Sequence, residues 1–128
     1  MKKLTISKLQ KKLWDECRRI IRARYGNTCF TCFKGGLEGS NWHTGHGYPK
    51  GSLGAAMKYD LRILRPQCYN CNINLGGMGA VFWRHLESQI GLEESELLYE
   101  LCQESRRVSI KAHDYYLRLL EEYKLIKK

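Results

Sequence analysis

An α+β fold is predicted, with one helix at the front, helices at the back and a small metal-clamped core of short strands and turns between them. Three observations predict it. Apolar residues recur at helical spacing over residues 6–24, glycines crowd residues 33–58, and two CxxC pairs bracket that glycine-rich stretch. At 128 residues the chain suits a single domain with a modest core. It divides into a basic helix (1–26), a zinc core (27–78) and a helical C-terminal part (79–128).

In the first segment Ile6, Leu9, Leu13, Cys17, Ile20 and Ile21 fall on one helical face, and Lys8, Lys11, Lys12, Arg18, Arg19 and Arg22 on the other. Gly26 with Asn27 ends it. Gly35, Gly36, Gly39, Gly45, Gly47, Gly51 and Gly54 forbid a long helix and suit turns between short strands. "LRILRPQC", residues 61–68, reads as an extended segment closed by Pro66, and a helical turn or two is expected from Cys71 to Gly76 and Gly77. Helices are then expected over 80–90 and 93–104. Ser109 is placed to cap a last helix over about 110–124, with Tyr116, Leu120 and Tyr123 on its apolar face.

The 22 Lys+Arg against 13 Asp+Glu leave a net charge of +9. The excess sits at the front: residues 1–25 carry nine basic and two acidic side chains, residues 85–128 seven and nine. That asymmetry favours a polyanionic partner; the plain alternative is a solvated basic surface. No apolar run approaches the roughly 18 residues of a membrane span, and the basic start has no apolar h-region. A cytoplasmic setting is therefore expected, where the six cysteines serve as metal ligands or buried thiols rather than disulfides.

Cys29 and Cys32 form one knuckle, Cys68 and Cys71 the other. Two-residue spacing lets both sulfurs of a tight turn face one ion, and four thiolates close a tetrahedral zinc site. A rival partition joins Cys29 and Cys32 to His43 and His46, but its gap of ten residues and its histidine spacing of two are both short for a finger. Cys17 and Cys102 lie on apolar helical faces and read as core thiols. The four-cysteine partition leaves His43 and His46 beside a knuckle, with Asn72 directly after the last cysteine. An imidazole and an amide oxygen make a sparse site for a divalent cation such as Mg²⁺, leaving positions for water and phosphate. A second imidazole nearby can deprotonate an attacking water.

Paired CxxC knuckles, an HxxH between them and Asn after the last Cys resemble the ββα-metal nucleases, also called HNH or His-Me finger nucleases. "HTGHGYPKG", "AMKYDLRILRPQCYNCN" and the basic helix ahead of them are similar to the lambdoid phage recombination endonucleases known as NinG or Rap. The likeness runs from about Leu13 to Glu104. It implies a ββα-metal core with Cys29, Cys32, Cys68 and Cys71 as structural zinc ligands, His46 as general base, and Asn72 as a ligand of a catalytic Mg²⁺ or Mn²⁺. His43 stands where relatives usually have Asp, which favours Mn²⁺ or a transition metal. Ile63 stands where Asn is expected, and Phe33 where Gly commonly follows the first knuckle.

Two readings follow. The first is a metal-dependent, structure-specific endonuclease for branched DNA, of Holliday-junction or flap type, acting in phage-type recombination. The second is a zinc-stabilised nucleic-acid binding protein without catalysis. The trio His43, His46 and Asn72 separates them, since a pure binding module does not need it. Phosphate contacts are expected from Arg18, Arg19 and Arg22, helped by Lys50, Lys58, Arg62 and Arg65. Paired cuts in a nearly two-fold junction suggest a homodimer, its interface drawn from Leu97, Leu98, Leu101, Tyr116, Leu117, Leu120 and Tyr123.

Overall fold

In the computed structural model, which describes residues 4–110 and 112–127, helix α1 spans Ile6–Tyr25. Thr5 starts it: its hydroxyl accepts the Lys8 N–H at 3.2 Å, satisfying one of the donors a helix leaves unpaired at its first turn. Gly26 stops it at φ 71°, where only glycine is unstrained, and donates its own N–H to Arg22 O. The chain then runs through strand β1 (His43–Gly45), a short helix α2 (Ala55–Lys58), strand β2 (Arg65–Gln67) and a π-helical turn (Asn70–Asn74). Helices α3 (Gly79–Ile90), α4 (Leu92–Glu104) and α5 (Ala112–Lys124) follow. The architecture is mixed and mostly helical, with one two-stranded antiparallel sheet.

The register pairs His43 with Gln67, Thr44 with Pro66 and Gly45 with Arg65. Pro66 lies inside β2 instead of closing it, which a two-stranded ladder tolerates because the missing N–H falls on an edge. Its carbonyl accepts from Phe30 N–H at 2.8 Å, joining the first knuckle to the strand. The extended segment is shorter than the sequence suggests. Leu61–Ile63 coils into a 3₁₀ turn because the Asp60 carboxylate accepts the Arg62 N–H at 2.9 Å. The last helix is described from Ala112; residue 111 lies outside the described residues, and Ser109 and Ile110 are not helical.

The main core joins the two ends of the chain. Leu9, Leu13, Cys17, Ile20 and Ile21 of α1 pack on Tyr116, Leu120 and Tyr123 of α5, with Tyr59 and Leu64 between them. Each fully buried aliphatic side chain contributes about 1.5–3 kcal/mol. A second cluster joins Leu53, Met57, Ile63, Leu98 and Cys102. Ile63 is 0% exposed there, so an apolar residue at that position is a packing requirement of this chain. The third cluster is the cysteine set with Leu37, Trp42 and Met78 packed around it. Burial pushes the thiols of Cys17 and Cys102 up to about 12, as expected of inert core cysteines.

Candidate metal centre and cationic cleft

Cys29, Cys32, Cys68 and Cys71 bring their sulfurs within 4.8 Å of one another. Two sulfurs bound about 2.3 Å from one tetrahedral ion stand about 3.8 Å apart, and Cys32 Sγ and Cys68 Sγ are 3.8 Å apart. The four cysteines can therefore hold a structural metal such as zinc, and the second CxxC joins the first instead of standing idle. Burial pushes the Cys29 thiol up, but hydrogen bonds from the Thr31 hydroxyl and from the backbone N–H groups of Cys32, Cys68 and Thr31 outweigh it and bring it down to about 6. Cys71 goes the other way, to about 12, through burial and the neighbouring sulfurs. The Cys29 thiolate is favoured while Cys32 and Cys71 are held toward the thiol, so metal binding must release protons.

Phe33 occupies the left-handed region at φ 65°, the conformation that explains why glycine is the expected residue after such a knuckle. Its N–H bonds to Cys29 O at 2.9 Å, and its ring stacks on His85 with centroids 4.8 Å apart. The stacking offsets part of the backbone strain.

The second knuckle also fixes Asn72. Its backbone N–H donates to Cys68 O at 3.0 Å, and the wide π-helical turn carries its side chain to the sheet. Asn72 Nδ2 lies 3.0 Å from His43 Nδ1, and His43 Nε2 lies 2.8 Å from Ser40 O. A carbonyl only accepts, so His43 carries its proton on Nε2 and receives the Asn72 amide at Nδ1. His46 follows directly after β1. All three residues line one open cleft of about 640 Å³.

The opposite wall of that cleft is α1. Lys11, Arg18 and Arg22 project into it, Lys58 joins from α2, and Trp14 and Trp42 supply aromatic surface. Arg22 is anchored: it donates to Trp42 O at 2.8 Å, and its guanidinium lies 4.3 Å from the Trp42 ring centroid. Arg18 pairs with Asp15 at 2.7 Å while remaining nearly half exposed. Lys11 was not among the expected contacts, yet positions 11, 18 and 22 share a helical stripe.

The remaining cations have other partners. Arg19 sits one position round the helix and faces α5, bonding Glu16 and the carbonyls of Tyr123 and Ile126. Arg65 is 3% exposed, with its guanidinium over the Tyr25 ring and bonded to Gln89 and Leu64 O. Burial pulls its pKa down. Arg62 pairs with Asp60 at 2.7 Å, approaches Glu94 and does not line the cleft. Lys50's side chain lies outside the described residues. A second groove, about 460 Å³ between α3 and α4, presents Glu87, Glu96 and Glu100 with one cation, Arg84, beside Trp83 and Tyr99, a net acidic rim that disfavours phosphate.

Among the described residues no helix is long and apolar enough to cross a membrane. No family model, curated protein or solved structure matches the chain.

Proposed function

We propose that the chain is a zinc-stabilised, metal-dependent DNA endonuclease of the ββα-metal type, similar to the lambdoid phage recombination endonucleases and directed at branched DNA. The observation that carries this reading is the shared cleft: two imidazoles and a knuckle-anchored amide on one wall face three cations of α1 on the other. A binding module needs the cations; it has no use for the trio opposite them.

In this reading α1 holds the phosphate backbone, and His46 takes the proton from the water that attacks phosphorus as the P–O bond to the leaving strand breaks. Asn72 would hold the divalent ion, Mg²⁺ or Mn²⁺, which when bound stabilises the charge developing on the phosphoryl and leaving oxygens. His43, expected as the second ligand of that ion, has both ring nitrogens hydrogen-bonded and orients Asn72 instead. This assignment leaves Arg19 and Arg65 out of the DNA surface, because their guanidiniums are used inside the fold.

Binding should therefore depend on Arg18 and Arg22 and hardly on Arg19. Each lost duplex phosphate contact lowers the slope of log affinity against log salt by about 0.9. The Arg18→Ala/Arg22→Ala pair is expected to flatten the slope by nearly two such steps. Arg19→Ala should keep the slope and lower the melting temperature instead. Anisotropy titrations across salt concentration measure both; an unchanged slope in the pair would move the contact surface elsewhere.

A two-fold homodimer remains the arrangement that would pair two cuts. Leu98, Tyr116, Leu120 and Tyr123 complete the chain's own core, however, so its interface would rest on the exposed Leu97, Leu101 and Leu117. The function itself is tested with zinc-loaded protein, Mg²⁺ or Mn²⁺, and synthetic junctions, flaps and linear duplex. Preferential cleavage of the branched substrates is expected; junction binding without cleavage would favour the non-catalytic reading.

A further inference from the structure

Gln67 opposes His43 across the two-stranded sheet, and Gly45 stands diagonally on the same face. The Gln67 side chain is wholly buried, and its Nε2 donates to Gly77 O at 2.9 Å and Thr31 Oγ1 at 3.2 Å. Because the Gly77 carbonyl only accepts, the amide cannot be turned over. Its Oε1 is thereby left on the other side, buried and with no hydrogen-bond partner among the described residues.

The Asn72 amide is fixed by the same logic. His43 Nδ1 accepts from Asn72 Nδ2, so Asn72 Oδ1 faces away from His43. A Cβ built on Gly45 would stand 1.9 Å from Gln67 Oε1 and 2.9 Å from Asn72 Oδ1. Both oxygens therefore reach the same small space over the Gly45 backbone, a space that exists only because position 45 has no side chain. Gln67 Oε1 is a buried acceptor left unmatched, which is costly, and the Asn72 oxygen converges on the same space. A cation satisfies both at once. Amide oxygens are hard, neutral donors of the kind Mg²⁺ and Mn²⁺ take alongside water and phosphate. Gly45 and Asn72 both line the cleft, which gives an ion its way in.

We infer that Gln67 Oε1 and Asn72 Oδ1 together form a divalent-cation site over Gly45, with Gln67 a ligand that the sequence pattern does not suggest. The inference rests on the nuclease reading for what the ion does, but not for whether it binds. The test is therefore binding: Mn²⁺ titrated into the zinc-loaded full chain, with free Mn²⁺ followed by electron paramagnetic resonance.

Wild type should bind one Mn²⁺ beyond the zinc. Gly45→Ala, whose methyl displaces two side-chain oxygens while the strand is kept, should weaken it at least tenfold, as should Gln67→Leu. Gln67→Glu puts a charged oxygen in the same place and should bind at least as tightly as wild type. If Gln67→Leu fails to fold, Gly45→Ala and Gln67→Glu decide. A wild type that cuts DNA while Gly45→Ala binds Mn²⁺ as it does, or while Gln67→Glu binds it more weakly, overturns this inference and leaves the nuclease reading standing. Binding that depends on Gly45 and Gln67 in a protein that cuts nothing does the reverse. No Mn²⁺ bound by wild type overturns this inference, and the cleavage assay then decides the nuclease reading by itself.

Discussion

Replacing Cys68 by Ser is expected to abolish zinc retention and with it the cooperative melting transition. A serine hydroxyl does not ionise near neutral pH, so three thiolates would remain and the fourth position of the tetrahedral site would lose its protein ligand. Structural zinc contributes about 10–16 kcal/mol in small metal modules, against a total stability of about 5–15 kcal/mol for a domain. The loss is therefore comparable to the whole stability of the fold. It also propagates along named contacts. Cys68 O holds the Asn72 N–H and Pro66 O holds the Phe30 N–H, so the knuckle, the sheet and the Asn72 turn come apart together. Zinc content by mass spectrometry and thermal unfolding by circular dichroism check this. A Cys68→Ser protein that keeps its zinc and melts at the wild-type temperature would remove the metal from the account of the fold.

His46→Ala should lower the cleavage rate by about 10²–10⁴-fold, the usual effect of losing a general base, while leaving DNA affinity nearly unchanged. The separation is expected because, in the proposed reading, phosphate would be held by the cations of α1, which line the facing wall of the cleft. Single-turnover cleavage and anisotropy on the same substrate measure the two quantities. Cleavage at the wild-type rate would mean that another group takes the proton.

Much of this was legible in the sequence. The apolar stripe of α1 and the two CxxC knuckles are local patterns, and the helix and the cysteine cluster stand where those patterns place them. The cation set was only partly legible, for a geometric reason: neighbouring positions on a helix point about 100° apart. Arg18 and Arg19 therefore cannot serve one surface, and without knowing where α5 packs the sequence does not say which of the two is free. Arg65 misled because a strand residue flanked by Arg62 reads as basic surface, whereas β2 is buried along its whole length. Gln67 was invisible for another reason. Its meaning depends on the register that sets it opposite His43 and on the missing side chain at Gly45, and pairing across 23 intervening residues leaves no periodic trace.

The central claim is that the cleft between α1 and the His43, His46 and Asn72 wall hydrolyses phosphodiester bonds. Its most direct test is a divalent-ion titration of strand cleavage, using zinc-loaded protein shown to be folded and a labelled four-way junction shown to be bound. The account predicts nicked product that appears with micromolar to millimolar Mn²⁺ or Mg²⁺ and vanishes on chelation of the added ion while the tightly held zinc remains. A folded, zinc-loaded protein that binds the junction yet leaves every strand intact across that range would contradict it.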